Sequence, residues 1–264
     1  MSLKLAALAA SLWLTTVTCR PFATGNSSTI LDGKLTFYPA PTNNGLETAV
    51  LVIPGGGYSH VSEAEASNST TYLNAHGYDA WVLNYTVTST ENAPTPLYPV
   101  PLDEARAAVR YIRTQTDIRV SKLGIWGYSA GGHLAAVTVT EPKEVVDLDF
   151  GILAYPVISM DLSITHNGSR TNLLGDNPPS DLVARMSAEN RVTDTTPPIF
   201  VYSSADDATV PVENTLRFIS GMTARSRPYQ TIIIPDGAHG IALALDDPQR
   251  DWSGELERFM TYSI

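Results

Sequence analysis

Apolar and β-branched residues recur along the chain in short, nearly unbroken runs: TAVLVIP at 48–54, AWVLNYTV at 80–87, KLGIWGYS at 122–129, FGILAYPVIS at 150–159, PIFVYSS at 198–204 and TIIIPDG at 231–237. Runs without polar alternation predict strands covered on both faces, as in a parallel sheet packed between helices. The intervening segments carry a helical period instead. PLDEARAAVRYIRTQ at 101–115 places acidic residues in its first turn and arginines in its last, which suits the helix dipole. GGHLAAVTV, SDLVARMS, VENTLRFISGMTAR and QRDWSGELERFMTYS supply further helices. Alternating strands and helices predict a doubly wound α/β domain, with its ligand site beyond the carboxyl ends of the strands. Ser159 to Pro198 is the least regular part, and reads equally as a segment that shapes that site or as a plain surface connection.

The chain of 264 residues, 43% hydrophobic, suffices for one such domain. Residues 1–19 read as a secretory signal: Lys4, the apolar run LAALAASLWL, then small and polar residues up to Cys19. That run is too short to span a bilayer. Cleavage there leaves a single domain at 20–264, removes the only cysteine, and predicts a secreted, extracellular protein without disulfides. Sequons at Asn26, Asn68, Asn84 and Asn167 suit that route, although Asn84 reads as a buried strand end rather than an acceptor. A net charge of −10 without a basic cluster argues against a nucleic-acid partner and against an acidic polymer as substrate.

The stretch LGIWGYSAGGHLAAV sets a serine between glycines, after a strand and before a helix. A phosphate loop would need Lys after Gly132, where His133 stands, and no Gly-x-Gly-x-x-Gly opens the helix. What remains is Gly127-Tyr128-Ser129-Ala130-Gly131, the Gly-x-Ser-x-Gly pattern of a nucleophile elbow. Such a serine needs a base. Of the five histidines, His239 follows the last strand run on a glycine-flanked loop, in the chain order serine, acid, histidine. His133 is expected to point into the fold, His76 to cap a helix, and His60 and His166 to lie in irregular segments. The acid should follow PIFVYSS, where Asp207 is preferred and its neighbour Asp206 is assigned as a loop brace.

Gly55-Gly56-Gly57 follows the strand run at 48–54, where bare backbone N–H groups can face an oxyanion. Gly56, Gly57 and the N–H of Ala130 are the candidate oxyanion hole, with Gly55 a weaker one. Tyr58 and Tyr155 are candidates to line an acyl pocket, with core or rim packing as the alternative. No metal site is expected, since His60-x-x-Glu63 lacks further ligands, and no cofactor is needed.

In order along the chain, PGGGYSHVS, LNYTV, GYSAGGHLAA, LAYPVIS, NLLGDNPP, TPPIFVYSSADDATVPVENTL and PDGAHGI resemble the acetyl and feruloyl esterases, acetylxylan-esterase-like, of the α/β-hydrolase superfamily. The resemblance runs from about Val50 to the C-terminus. It implies an α/β-hydrolase fold without a large lid domain, and hydrolysis of short acyl esters, on small molecules or on cell-wall polysaccharide. Pro54 stands where lipase-like relatives have histidine, and SITHNGSRTN does not match the family pattern. A peptidase, a lactonase, a biosynthetic hydrolase or a non-catalytic binding protein on the same scaffold remain open. The chain is expected to act as a monomer or small homo-oligomer, away from membranes.

Overall fold

The computed structural model describes residues 31–40, 46–116 and 120–264; the signal segment and Asn26 lie outside them. Seven strands among the described residues form one sheet: β1 Leu35–Tyr38, β2 Thr48–Ile53, β3 Asp79–Leu83, β4 Lys122–Tyr128, β5 Phe150–Ala154, β6 Ile199–Ser204 and β7 Tyr229–Ile234. Their order is β1-β3-β2-β4-β5-β6-β7. Only the β1–β3 pair is antiparallel. The helices are α1 Glu63–Ala75, α2 Val100–Arg113, α3 Ser129–Val139, α4 Asn167–Leu174, α5 Ser180–Met186, α6 Glu213–Ala224 and α7 Ser253–Tyr262.

Continuous apolar strands are explained by two cores, one per face. Leu51, Ile53, Ile125, Leu153 and Val201 pack with α2, α3 and α6, whereas Val52, Trp126, Ile152, Phe200 and Tyr202 pack with α1 and α7. β4 therefore sits centrally, and all eleven residues of α3 are buried. A helix enclosed on every side needs no polar face, which is why GGHLAAVTV carries almost none.

Several expectations need correction. β1 is a four-residue antiparallel edge strand too short to read from LTFY. α1 buries Glu65, Ser69, Thr70, Tyr72 and Leu73, so its inner face is mostly polar and shows no apolar stripe. β3 ends at Leu83, which leaves Asn84 exposed rather than buried. β5 ends at Ala154, because Tyr155 turns to a positive φ of 36° before Pro156. The irregular Ser159–Pro198 segment holds α4, whose N-cap is His166.

His133 does point inward. It is fully buried, its Nε2 lies 2.6 Å from the Met186 carbonyl, and its Nδ1 lies 2.7 Å from the Tyr58 hydroxyl. A carbonyl only accepts, so Nε2 carries the proton and Nδ1 accepts from Tyr58. Burial pushes this imidazole down to about 4 from 6.5. Between those values the unfolded chain binds a proton that the folded chain refuses, so stability must fall as pH falls across that window. The ceiling is about 3 kcal/mol. Denaturant unfolding from pH 7 to pH 4 should show a steeper loss for the native chain than for His133→Gln; parallel curves would refute this role for the residue.

Candidate active site

The turn from β4 into α3 is set by sterics. A Cβ on Gly127 would lie 2.3 Å from the Gly131 carbonyl oxygen, and one on Gly131 would lie 2.2 Å from the carbonyl oxygens of Ile53 and Pro54. Only glycine lets α3 start this close to the end of β2. The serine between them takes φ 50°, a left-handed conformation that costs about 1–3 kcal/mol outside glycine. Ser129 remains 7% exposed at the carboxyl end of the sheet.

Asp207, Ser129 and His239, from three separate segments, converge in one hydrogen-bonded series. Asp207 Oδ1 accepts the N–H groups of Thr209 at 2.8 Å and Val210 at 3.0 Å, and Oδ2 lies 2.7 Å from His239 Nδ1. Burial alone would raise the Asp207 pKa, but the hydrogen bonds from His239, Val210 and Thr209 outweigh it and hold the carboxyl below its usual range. An ionised carboxylate accepts from Nδ1–H, so Nε2 is left to accept the Ser129 hydroxyl proton at 2.8 Å. Asp206 turns away and accepts the Gly237 N–H at 2.9 Å, bracing the loop that carries His239.

The glycine loop faces this series from the end of β2. Gly55 N–H donates to Glu65 Oε2 at 2.6 Å, which removes it as an oxyanion donor. Among the described residues the N–H groups of Gly56 and Gly57 meet no acceptor. Ala130 lies in the first turn of α3, where a helix leaves its N–H groups without an internal partner. Gly56 has φ 124° and passes so near His60 that a Cβ would lie 2.1 Å from the His60 carbonyl oxygen. The arrangement can pass a hydroxyl proton to an imidazole while backbone donors stand free for a developing negative oxygen.

Tyr58 and Tyr155, the candidates for an acyl pocket, are instead interior, at 0% and 3% exposure. Tyr58 holds His133. Tyr155 donates its hydroxyl to Glu65 Oε1 at 2.9 Å, accepts the Ala242 N–H at 3.0 Å, and sets its ring edge-on to His239 at 4.9 Å. Glu65 thus joins the glycine loop to the histidine loop through Tyr155. Burial raises its pKa, against the Gly55 and Tyr155 hydrogen bonds and the charge of His239.

Two further residues were not anticipated from the sequence. Asn172 donates to the Gly57 carbonyl at 2.9 Å and so fastens α4 to the glycine loop. His166 Nδ1 accepts from Ser169, from the hydroxyl at 2.9 Å and from the N–H at 3.3 Å, which puts the proton of a neutral ring on Nε2. A Cβ on Gly57 would lie 3.5 Å from His166 Cε1, so the ring stands beside the loop. Burial first, then the nearby His239 charge, pulls its pKa down against the pull of Asp207, which favours that neutral ring. The cap is a histidine rather than one of the usual serine, threonine, aspartate or asparagine caps, so no common capping signal marked the start of α4.

Among the described residues no three His, Cys, Asp or Glu side chains converge as a metal site, and no helix is long and apolar enough to cross a membrane. The chain is similar to an endo-1,4-beta-xylanase B of Butyrivibrio fibrisolvens, 36% identical over 219 residues, covering 78% of this chain and 34% of that protein. It is similar to an acetylxylan esterase of Xylanibacter ruminicola, 33% identical over 217 residues, covering 79% and 44%. It therefore spans less than half the length of these curated relatives. Among solved structures, an acetyl ester-xyloside bifunctional hydrolase from Caldicellulosiruptor lactoaceticus is 34% identical with a TM-score of 0.77, covering 86% of this chain and 87% of that one. A carboxylesterase from Lactobacillus plantarum is 25% identical with a TM-score of 0.72, covering 86% and 91%. Residues 99–262 match the prolyl oligopeptidase family. That match spans more than half of the chain and contains the elbow serine, Asp207 and His239, so the chain belongs to the prolyl oligopeptidase family of α/β hydrolases.

Proposed function

We propose that the protein is a serine esterase that removes short acyl groups, acetyl foremost, from plant cell-wall polysaccharide such as xylan. One observation carries the reading: Asp207, His239 and Ser129 form a hydrogen-bonded series beside the free N–H groups of Gly56 and Gly57. The relatives named for acetylxylan and acetyl-xyloside hydrolysis support the choice of substrate.

In this mechanism His239 Nε2 takes the Ser129 proton as Oγ attacks the ester carbonyl, and Asp207 stabilises the imidazolium that results. Gly56, Gly57 and Ala130 N–H groups hold the oxyanion. His239 returns the proton to the departing alcohol, and water, activated by the same imidazole, then releases the acyl group from Ser129. The protein would be made with residues 1–19 as a cleaved signal and act outside the cell as a single domain over 20–264.

Release of p-nitrophenol from acetyl, butyryl and octanoyl esters tests the reading. Turnover should be fastest on the acetyl ester and fall by roughly 10⁴-fold or more in Ser129→Ala. The family name favours a second reading, a peptidase, so a prolyl p-nitroanilide belongs beside the esters. Faster cleavage of the anilide would replace the esterase, and no turnover of either would leave a binding protein.

Glu65 is a positioning residue in this scheme. Glu65→Gln can accept from Gly55 but cannot also accept from the Tyr155 hydroxyl, which already accepts from Ala242. Losing one buried hydrogen bond predicts roughly a tenfold lower kcat on p-nitrophenyl acetate with KM little changed. Because burial raises the Glu65 pKa, ionising it opposes folding as pH rises. Glu65→Gln should therefore lose less stability than the native chain as pH rises from the ordinary carboxyl range, where the unfolded chain ionises first. Unaltered kcat would remove Glu65 from the scheme. His166, by contrast, is placed to donate to the alcohol part of a substrate. His166→Ala should lower kcat/KM on acetylated xylo-oligosaccharides at least fivefold more than on p-nitrophenyl acetate; equal losses would assign it to folding alone.

A further inference from the structure

A groove of about 700 Å³ runs between α4, α5 and α6, lined by side chains that the proposed chemistry does not use. Arg170, on α4, is one of them, and only 8% of it is exposed. Its Nε donates to the Met160 carbonyl at 3.0 Å. Among the described residues its two terminal nitrogens have no acceptor, and no carboxylate lies within ion-pair distance. Arg217, across the groove, is placed differently: it is shared by Asp161 at 3.3 Å and Glu189 at 3.9 Å. Glu189 in turn keeps Oε2 buried without a donor.

The groove therefore holds one largely buried guanidinium lacking a counter-ion, with the half-exposed carboxylate of Asp161 at its rim and that of Glu189 deeper in its lining. The terminal nitrogens of Arg170 are not among the fully buried unpaired atoms and so stay open to the groove, and a guanidinium presents two parallel N–H groups that match a carboxylate. Asp161 and Glu189 would repel a ligand that is acidic throughout, whereas they can accept hydrogen bonds from hydroxyls. Val183 and the 65% exposed Leu162 add an apolar wall for the C–H face of a ring. We infer that this groove binds a carboxylate-bearing sugar, a uronic acid unit, with its carboxylate on Arg170 and its hydroxyls toward Asp161 and Glu189.

The site adjoins the candidate active site through the chain itself. Val157 N–H donates to the Ser129 carbonyl at 3.0 Å, and three residues later Met160 receives Arg170. Contact of one polymer with both places would rest on the esterase reading; binding of the sugar acid does not.

The test titrates the full chain with methyl β-D-glucuronide, methyl β-D-glucoside and acetate, followed by NMR or calorimetry. Neither glycoside carries an ester, so the result is independent of turnover. The glucuronide should saturate the protein at least tenfold more tightly than the other two. Arg170→Gln should weaken it tenfold or more, Arg170→Lys less, and Arg170→Gln should keep p-nitrophenyl acetate turnover within twofold. Ser180→Trp, which narrows the groove from its exposed rim without touching Arg170, should also abolish binding and covers the case in which the arginine variants fail to fold. Equal binding of acetate, equal binding of the glucoside, or glucuronide binding indifferent to Arg170 and Ser180 would each overturn the site. Loss of esterase activity in the native chain would instead strike the proposed function and leave this result standing.

Discussion

The approach of α3 to the end of β2 is the constraint on which the rest of the site depends. Gly131 meets the carbonyls of Ile53 and Pro54 with no room for a Cβ, and Gly127 meets Gly131 in the same way. With both gaps closed, the chain between them has one way to turn, and Ser129 is forced to a positive φ. The strain of about 1–3 kcal/mol is outweighed by burial of the helix that the serine starts, since Leu134, Val137 and Val139 are each buried and each contribute about 1.5–3 kcal/mol. The elbow is held by the helix behind it, and a larger residue at either glycine would have to move a central strand.

A second constraint is electrostatic. Glu65 is a carboxyl inside the fold, and its burial is unfavourable unless its acceptors are filled. Gly55 and Tyr155 fill them. The consequence reaches beyond Glu65, because those partners belong to the glycine loop and to the support of the His239 loop. Geometry that the proposed mechanism needs at two places, the glycine loop and the His239 loop, is thereby fixed by one buried group. Asp207 shows the opposite balance: its hydrogen bonds exceed the cost of burial and keep it ionised. Two carboxyls near one histidine are thus pushed in opposite directions by their surroundings, one serving as a structural joint and the other as the partner of the imidazole.

How much could be read from the sequence depends on where the information is local. The central parallel strands were legible because burial on both faces leaves unbroken apolar runs, although β7 carries such a run on a half-exposed edge, and the elbow because its steric demand falls on residues adjacent in the chain. Glu65 was not legible: α1 packs on a polar inner face, so neither periodicity nor composition marks it as interior. Tyr58 and Tyr155 look like pocket residues because they flank site motifs, but flanking in sequence does not set the direction of a side chain, and their positive φ values of 59° and 36° turn both inward. His166 and α4 were hidden for another reason. The helix has eight residues, two of them asparagine and one glycine, and its start is set by a histidine acting as a cap, a role more often taken by serine, threonine or aspartate.

In the proposed function and the groove assignment, that short helix is where chemistry and recognition would meet. His166 at its start stands beside Gly57, Asn172 near its end holds the Gly57 carbonyl, and Arg170 between them faces the groove. The net charge of −10 bears on what such a helix can recruit. A polyacid would meet repulsion along its whole length, but at physiological salt fields fade over about 8 Å, so an isolated carboxylate responds to its immediate neighbours rather than to the total. By the groove assignment, one guanidinium without a counter-ion would favour a sparsely charged polymer over both an uncharged and a densely charged one. In the proposed function the elbow would act on the ester bond, and by the groove assignment α4 would hold the chain that carries it.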